Sequence, residues 1–346
     1  MLLKDRLNNN YDFLRVFAAL CITFTHSYNL ILKNDDEPLM KLSGNHFDFS
    51  FIGLSIFFSI SGYLIAKSAV TSPSFKNYIW KRFLRIQPML ILVCLVSILV
   101  IGPVFSTLSL NEFFKQESTF TYFRNIMPLF GIQFGLPAVF GNNPAESGVN
   151  GSLWTLIVEE RLYLIIGILF LFKEYGKALL LILIGILNLL YFVNIVFYGE
   201  NMIKYFSGQN VFYAIMFLNA SFYYLININF KNTKNSFFYL IILAALLLLS
   251  SLIIIEKSLQ IILIPLLVLS VAHIKGKTNK AGKYGDFTYG IYIFSFPVQQ
   301  MLIAKNIALN NPLKLFGLTI LIVSPLAILC WHLLERKMLL LKVRFT

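Results

Sequence analysis

ALLLILIGILNLLYFVNIVFY, residues 178–198, carries no charged side chain and matches the ~20 residues that cross a ~30 Å hydrocarbon layer. Phe237–Ile255 and Phe316–Cys330 are equally free of charge. A helix that is apolar on every face belongs in lipid, because a globular core covers only one of its faces. Composition agrees. The 346 residues are 58% hydrophobic and only 13% charged, and mean hydropathy is +0.73. A soluble domain of that length needs more charge to cover its surface. The first apolar run is broken by Asp12, Arg15 and His26 and has no small-residue cleavage site after it, so it does not read as a removable signal peptide.

The same patterning predicts an all-α integral membrane protein with about ten transmembrane helices. They fall near 11–32, 50–70, 88–105, 152–172, 178–198, 210–227, 236–255, 258–274, 287–305 and 313–333. Net charge is +13, but its distribution argues against nucleic acid as a partner. Nineteen Lys and Arg residues fall in the connections on the side of both termini, against eight on the other side. That bias is the positive-inside signature and puts both termini in the cytoplasm. Cys21, Cys94 and Cys330 stand alone in apolar runs, which excludes a disulfide framework, and no metal-ligand spacing is present.

The longest non-helical stretch, about 106–151, is then extracytoplasmic. It is rich in Gly, Asn, Pro and aromatic residues. Such a segment suits sugar recognition by stacking and hydrogen bonding, and equally suits a cap over a helix bundle.

Ionisable groups at membrane depth are functional-site candidates by default. Arg15 and His26 are eleven residues apart, about three helical turns, so they share one face of the first span at roughly 16 Å separation. By the same rise, His26 is roughly 22 Å from the inner surface and Glu159 roughly 10 Å below the outer one. Gln299 and Gln300 lie roughly 18 Å from the inside, and Ser59 and Ser61 roughly 14–17 Å from the outside. Four helices thereby supply an imidazole, a carboxylate, amides and hydroxyls to one outer-half layer. A structural ion network of Glu159, Glu160 and Arg161, with His26 as a packing histidine, is the competing account. On the inner side Arg82 and Arg85, with Arg15 at the same face, suit bidentate capture of a phosphate-bearing ligand; simple positive-inside anchoring explains them too. The small residues of Phe57-Phe-Ser-Ile-Ser-Gly62 also permit close helix packing.

These residues carry a resemblance. Asp12-Phe-Leu-Arg15 with His26, Phe57-Phe-Ser-Ile-Ser-Gly62, Arg82-Phe-Leu-Arg85 with Pro88, Val149-Asn-Gly-Ser-Leu-Trp-Thr-Leu156 with Glu159 and Tyr163, and Gly285-Asp-Phe-Thr-Tyr-Gly-Ile-Tyr292 with Phe296-Pro-Val-Gln-Gln300 follow one another along nearly the whole chain. In that order they resemble the signatures of the acyltransferase 3 family, above all its O-antigen and exopolysaccharide O-acetyltransferases. The resemblance implies a single transmembrane acyltransferase domain over 1–346, without an appended soluble domain, in a bacterial inner membrane. It implies transfer of an acyl group, usually acetyl, from cytoplasmic acyl-CoA to a hydroxyl of an envelope glycan. Acyl-CoA is then a co-substrate, and no tightly bound cofactor or metal is expected. His26, Glu159 and Arg15 map to the catalytic positions. Arg82, Arg85 and Ser61 are assigned to the donor, and Asn150, Trp154, Tyr163 and Gln299 to the acceptor. Two positions depart from the pattern: Ser295 stands where many members carry a histidine, and Glu335-Arg-Lys-Met replaces Glu-Lys-Pro. A transporter or flippase of an envelope precursor would account for the buried polar layer without chemistry.

Overall fold

A computed structural model describes residues 9–145, 148–172, 174–198, 208–228, 230 and 256–342. The seventh expected span, 236–255, and the chain ends lie outside the described residues. The described chain is helical, with one isolated antiparallel bridge between Ser106 and Val139 as its only β pairing. Nine long helices are present among the described residues: α1 Tyr11–Asn29, α2 Phe49–Thr71, α3 Phe75–Val96, α4 Trp154–Leu169, α5 Glu174–Tyr198, α6 Gln209–Leu225, α7 Glu256–Ala272, α8 Thr288–Ala304 and α9 Pro312–Cys330. Through π-turns, α3 runs on to Phe105 and α9 to Leu340. Among the described residues four helices, Phe49–Thr71, Phe75–Phe105, Glu174–Phe197 and Pro312–Leu340, are long and apolar enough to cross a membrane. The pair Glu256–Ala272 and Lys277–Lys283, bent by 85°, brings that number to five if it is one span. The remaining long helices are shorter or more polar, and the ten-span count draws on them.

Two expectations change. The stretch between the expected spans 50–70 and 88–105 is not a connection that ends at Pro88, because α3 starts at Phe75 and passes through that proline. A helix-interior proline costs about 3 kcal/mol. Leu84, Ile86, Met89 and Leu90 are buried on either side of it, and each buried side chain returns about 1.5–3 kcal/mol. Nor is the segment 106–151 an unstructured loop. It contains short helices at Leu110–Lys115 and Glu117–Thr121, the first opened by a reciprocal Ser109–Glu112 capping box. Phe113 and Tyr122 are fully buried there with Ile98, Ile101, Leu136 and Val149, so the segment has a core of its own.

The chain groups into two compact units. The first takes residues up to Arg15, Leu54–Ile79 and Leu162–Tyr284. In it Gly62 lies against the Phe217 backbone so closely that any Cβ would collide with the Phe217 carbonyl, and the Ser221 hydroxyl donates to Gly62 O at 2.9 Å. The small residues of the Phe57–Gly62 stretch therefore serve packing at Gly62. Asn188 and Asn219 exchange side-chain hydrogen bonds at 2.8 and 3.0 Å. Asn219 Nδ2 also donates to Ile261 O at 2.8 Å. Pro265, four residues on, lacks the N–H that would have served that carbonyl, so the asparagine replaces it.

The second unit takes Val16–Gly53, Trp80–Arg161 and Gly285–Thr346. Here α8 and α9 pack with Gly290 on Ala327, and a Cβ at Gly53 would lie 2.6 Å from Ala18 O. Asn311 caps α9, its side chain accepting from Lys314 N–H ahead of Pro312.

Candidate active site

Helix α8 is the spine of the candidate site, because one face of it reaches every other element of the second unit that carries a candidate residue. Tyr289, Tyr292, Phe296 and Gln299 recur at intervals of three and four, which stacks them along that face. Near its N-terminal end the Tyr289 hydroxyl donates to Ile86 O of α3 at 3.3 Å. One turn on, the Tyr292 hydroxyl donates to Ser152 O at 2.7 Å and lies 2.7 Å from Thr155 Oγ1 at the start of α4. Tyr289 and Tyr292 are both within electrostatic reach of Glu159, one turn beyond Thr155.

Phe296 meets His26 edge-on, with ring centroids 5.2 Å apart. It also fills the space a side chain would need at residue 151, where a Cβ would lie 2.6 Å from the ring. Glycine is therefore required beside the histidine wall. Gln299, with no exposed surface, donates from Nε2 to Thr23 O at 2.9 Å and Ser27 Oγ at 2.7 Å. These two residues bracket His26 on α1, so the amide fixes the turn that presents the imidazole. Gln299 Oε1 is buried and has no hydrogen-bond partner among the described residues. A buried carbonyl oxygen without a donor costs roughly 1–3 kcal/mol, and a substrate hydroxyl beside His26 would satisfy it.

The segment 106–151 is pinned to the same helix. Gln300 donates to Gly148 O at 2.9 Å, and Asn143 Nδ2 donates to Gln300 Oε1 at 2.7 Å. Asn150 has no exposed surface. Its Nδ2 donates to Ile293 O at 3.0 Å and its Oδ1 accepts from Ser152 N–H at 3.2 Å. Pro297 lies four residues after Ile293 and leaves that carbonyl without its helical donor. Asn150, assigned to the acceptor from sequence, uses both ends of its amide inside the fold and holds the Asn-Gly-Ser turn.

Arg85 also has partners that sequence reasoning did not supply. Its guanidinium lies 2.7 Å from Asp286 Oδ2 and 3.6 Å from Glu335 Oε2, with those carboxylates 1% and 3% exposed. Arg85, assigned to the donor from sequence, thus neutralises two buried acids, one just before α8 and one just after α9. Arg82 is partly buried one turn earlier. Glu160 ties the 106–151 segment to α3 and α4, accepting from Gln87 Nε2 at 2.6 Å and Leu129 N–H at 2.9 Å.

His26, Glu159, Arg82, Arg85, Asn150, Trp154 and Gln299 all lie in the second unit, whereas Arg15, Ser61 and Tyr163 belong to the first. In that first unit Tyr163 O accepts from the Tyr78 hydroxyl at 2.9 Å and its ring lies 6.2 Å from Phe217, a packing role. Ser295 is buried, its hydroxyl bonded back to Ile291 O at 2.6 Å. Phe296, Tyr292, Asp286 and Glu335 stand in motifs quoted from the sequence, but none was given a role of its own there. For Phe296 the neighbouring Pro297 was the available signal.

Comparison with known proteins gives this geometry a family. Residues 8–334 match the acyltransferase 3 family, described as an acyltransferase domain. An O-acetyl transferase of Shigella phage Sf6 is 28% identical over 341 residues, 96% of each chain. Nodulation protein 10 of Rhizobium leguminosarum bv. viciae is 33% identical over 175 residues, covering 49% of this chain and 46% of that one. The peptidoglycan O-acetyltransferase of Listeria monocytogenes is 31% identical over 163 residues, 41% of this chain and 24% of that one. No solved structure matches. The chain belongs to the acyltransferase 3 family and is an acyltransferase, with the apolar helices of a membrane protein.

Proposed function

We propose that the protein transfers an acetyl group from cytoplasmic acyl-CoA to a hydroxyl of an envelope glycan, across a bacterial inner membrane that it spans ten times with both termini inside. The observation that carries this reading is the setting of His26: walled by Phe296, on a helical turn held by Gln299, whose buried Oε1 has no hydrogen-bond partner among the described residues. The relatives named O-acetyl transferase and peptidoglycan O-acetyltransferase support acetyl as the group and a glycan as the acceptor.

In this reading the acceptor hydroxyl donates its proton to His26 as its oxygen attacks the thioester carbonyl. The tetrahedral intermediate collapses with cleavage of the carbon–sulfur bond. The departing CoA thiolate is then protonated by the imidazolium, which balances the step. A variant of the same chemistry places the acetyl group on His26 first and passes it to the glycan afterwards. Gln299 Oε1 accepts from the sugar, Glu159 and Trp154 line the acceptor side, and Arg82 meets the donor's phosphates.

The test is His26→Ala and His26→Gln in the full chain, scored by thiol release from acetyl-CoA with an envelope glycan extract and by mass spectrometry of the product. Loss of a general base is expected to slow transfer by at least 10²-fold, with insertion and folding unchanged. Near-normal acetylation by either variant would end both schemes.

A further inference from the structure

Between Leu32 and Ile52 a single residue is buried, and it is an acid, Glu37. Its backbone opens the short helix Pro38–Leu42, yet its side chain makes no capping bond there. The carboxyl turns inward instead, to 1% exposure, where an apolar side chain would anchor the connection at less cost. Oε1 accepts from the Thr25 hydroxyl of α1 at 2.6 Å and from Phe49 N–H at the start of α2 at 3.0 Å. Oε2 is buried with no hydrogen-bond partner among the described residues. A fold that leaves one carboxyl oxygen unmatched gives up stability for the contacts the other oxygen makes.

Thr25 is the centre of those contacts. Its Oγ1 donates to Glu37 and accepts from Ser50 N–H at 2.8 Å, while Asp48 Oδ1 accepts from Phe51 N–H at 2.6 Å. The first N–H groups of α2 have no carbonyl of their own helix to meet, and two of them are tied here to the last turns of α1. Successive residues advance about 100° around a helix, so Thr25 lies roughly opposite Ser27. Gln299 of α8 grips the Ser27 hydroxyl together with Thr23 O. The turn that carries His26 is thus held from two opposite sides. The imidazole leaves it between them, about 100° round from Thr25 and from Ser27.

We propose that Glu37 is a positioning residue for His26, fixing the direction of the imidazole through Thr25 from the side opposite Gln299. The inference rests on the reading of His26 as the base and adds to it a second brace, supplied by the connection between α1 and α2. That brace needs an acceptor at Oε1 and no charge, so glutamine should serve in its place.

The experiment measures kcat and both KM values for the full chain in lipid nanodiscs, with acetyl-CoA and an envelope glycan extract, well below each variant's unfolding midpoint. Glu37→Ala should lower kcat roughly 10- to 100-fold, the scale of an ångström-level misplacement of a catalytic group. Each KM should stay within about twofold of wild type, the pattern of an interaction lost in the transition state alone. Thr25→Val replaces the hydroxyl by a methyl at the same shape and should act alike, which also gives the answer if Glu37→Ala fails to fold. The double variant should lose little more than either single one, because both remove the same contact. Glu37→Gln should keep the wild-type kcat. A wild-type kcat in folded Glu37→Ala or Thr25→Val, a loss expressed in KM instead, or a loss that Glu37→Gln shares would overturn the positioning role and leave His26 as the base. Near-normal turnover by His26→Ala, run alongside, would remove the base and its brace together.

Discussion

Asparagines opposite prolines were not legible as partners in the sequence, although each residue was plain to see. Asn150 and Pro297 are far apart in the chain, and only the fold shows that one supplies the hydrogen bond the other removes at Ile293 O. Asn150→Ala should therefore leave a buried carbonyl unsatisfied and cost about 1–3 kcal/mol. Pro297→Ala in the same chain restores a helical N–H to that carbonyl, so the double variant should recover much of the loss. A double-mutant cycle from unfolding midpoints in detergent checks this, and additive effects would show that the two residues do not serve one carbonyl. Glu37 gives a second prediction at this scale. It is 1% exposed and accepts from Thr25 Oγ1 at 2.6 Å and Phe49 N–H at 3.0 Å. Burial, aided by the nearby Asp48 charge, nonetheless raises its carboxyl above the ordinary range. The folded state thus holds the proton more tightly than the unfolded chain. Its favourable contribution is complete below the unfolded value and is lost as pH rises through the folded one. Glu37→Gln should flatten the fall of thermal midpoint across that window, and an unchanged pH slope would assign the dependence to another group.

Arg85 ties α3, α8 and α9 together, and the prediction that follows distinguishes a brace from a ligand. Removing the guanidinium leaves Asp286 and Glu335 as buried charges without their counter-ion. The expected cost is about 3–5 kcal/mol, the scale for one-sided loss of a buried pair. Arg85→Ala should lose folded protein in detergent. Arg85→Ala combined with Asp286→Asn and Glu335→Gln should regain stability, because the isolated charges are gone. If the triple variant also keeps a normal acetyl-CoA KM, Arg85 touches no donor; a raised KM in a stable variant would return it to the donor site. At this scale the helices themselves were legible, since runs such as Ala178–Tyr198 announce themselves by lacking charge. Helix α3 was misread because Pro88 looked like a boundary, and packing around Leu84 and Met89 overrode the local penalty. The partners of Arg85 were illegible for a different reason. They stand 201 and 250 positions away, and nothing local in Gly285-Asp286 or Glu335-Arg336 marks a carboxylate as buried. His26 and Gln299 were legible as polar groups in apolar runs, whereas Phe296 looked like any other core phenylalanine until its ring was seen against the imidazole.

For the whole molecule, the charge bias of the connections predicts a sidedness that the proposed chemistry requires. A donor from the cytoplasm and an acceptor from outside must enter from opposite faces, and this separates an acyltransferase of envelope glycan from a transporter of it. In sealed vesicles of known orientation, acetyl-CoA should support glycan acetylation only when supplied at the cytoplasmic face, with the acetylated glycan recovered at the other. A transporter would move unmodified glycan with no need of acetyl-CoA. Surface labelling provides the independent check, because Cys21, Cys94 and Cys330 are all buried and introduced cysteines should dominate the signal. Ser74 and Lys76 are exposed between α2 and the first turn of α3, and Asn142 is exposed in the outer segment. A membrane-impermeant maleimide should therefore reach Asn142→Cys from outside in intact cells, and Ser74→Cys or Lys76→Cys only after the membrane is opened. Labelling of residue 74 or 76 in intact cells would invert the topology. His26 would then sit nearer the cytoplasm, and a mechanism with its donor inside and its acceptor outside would have its histidine at the wrong depth.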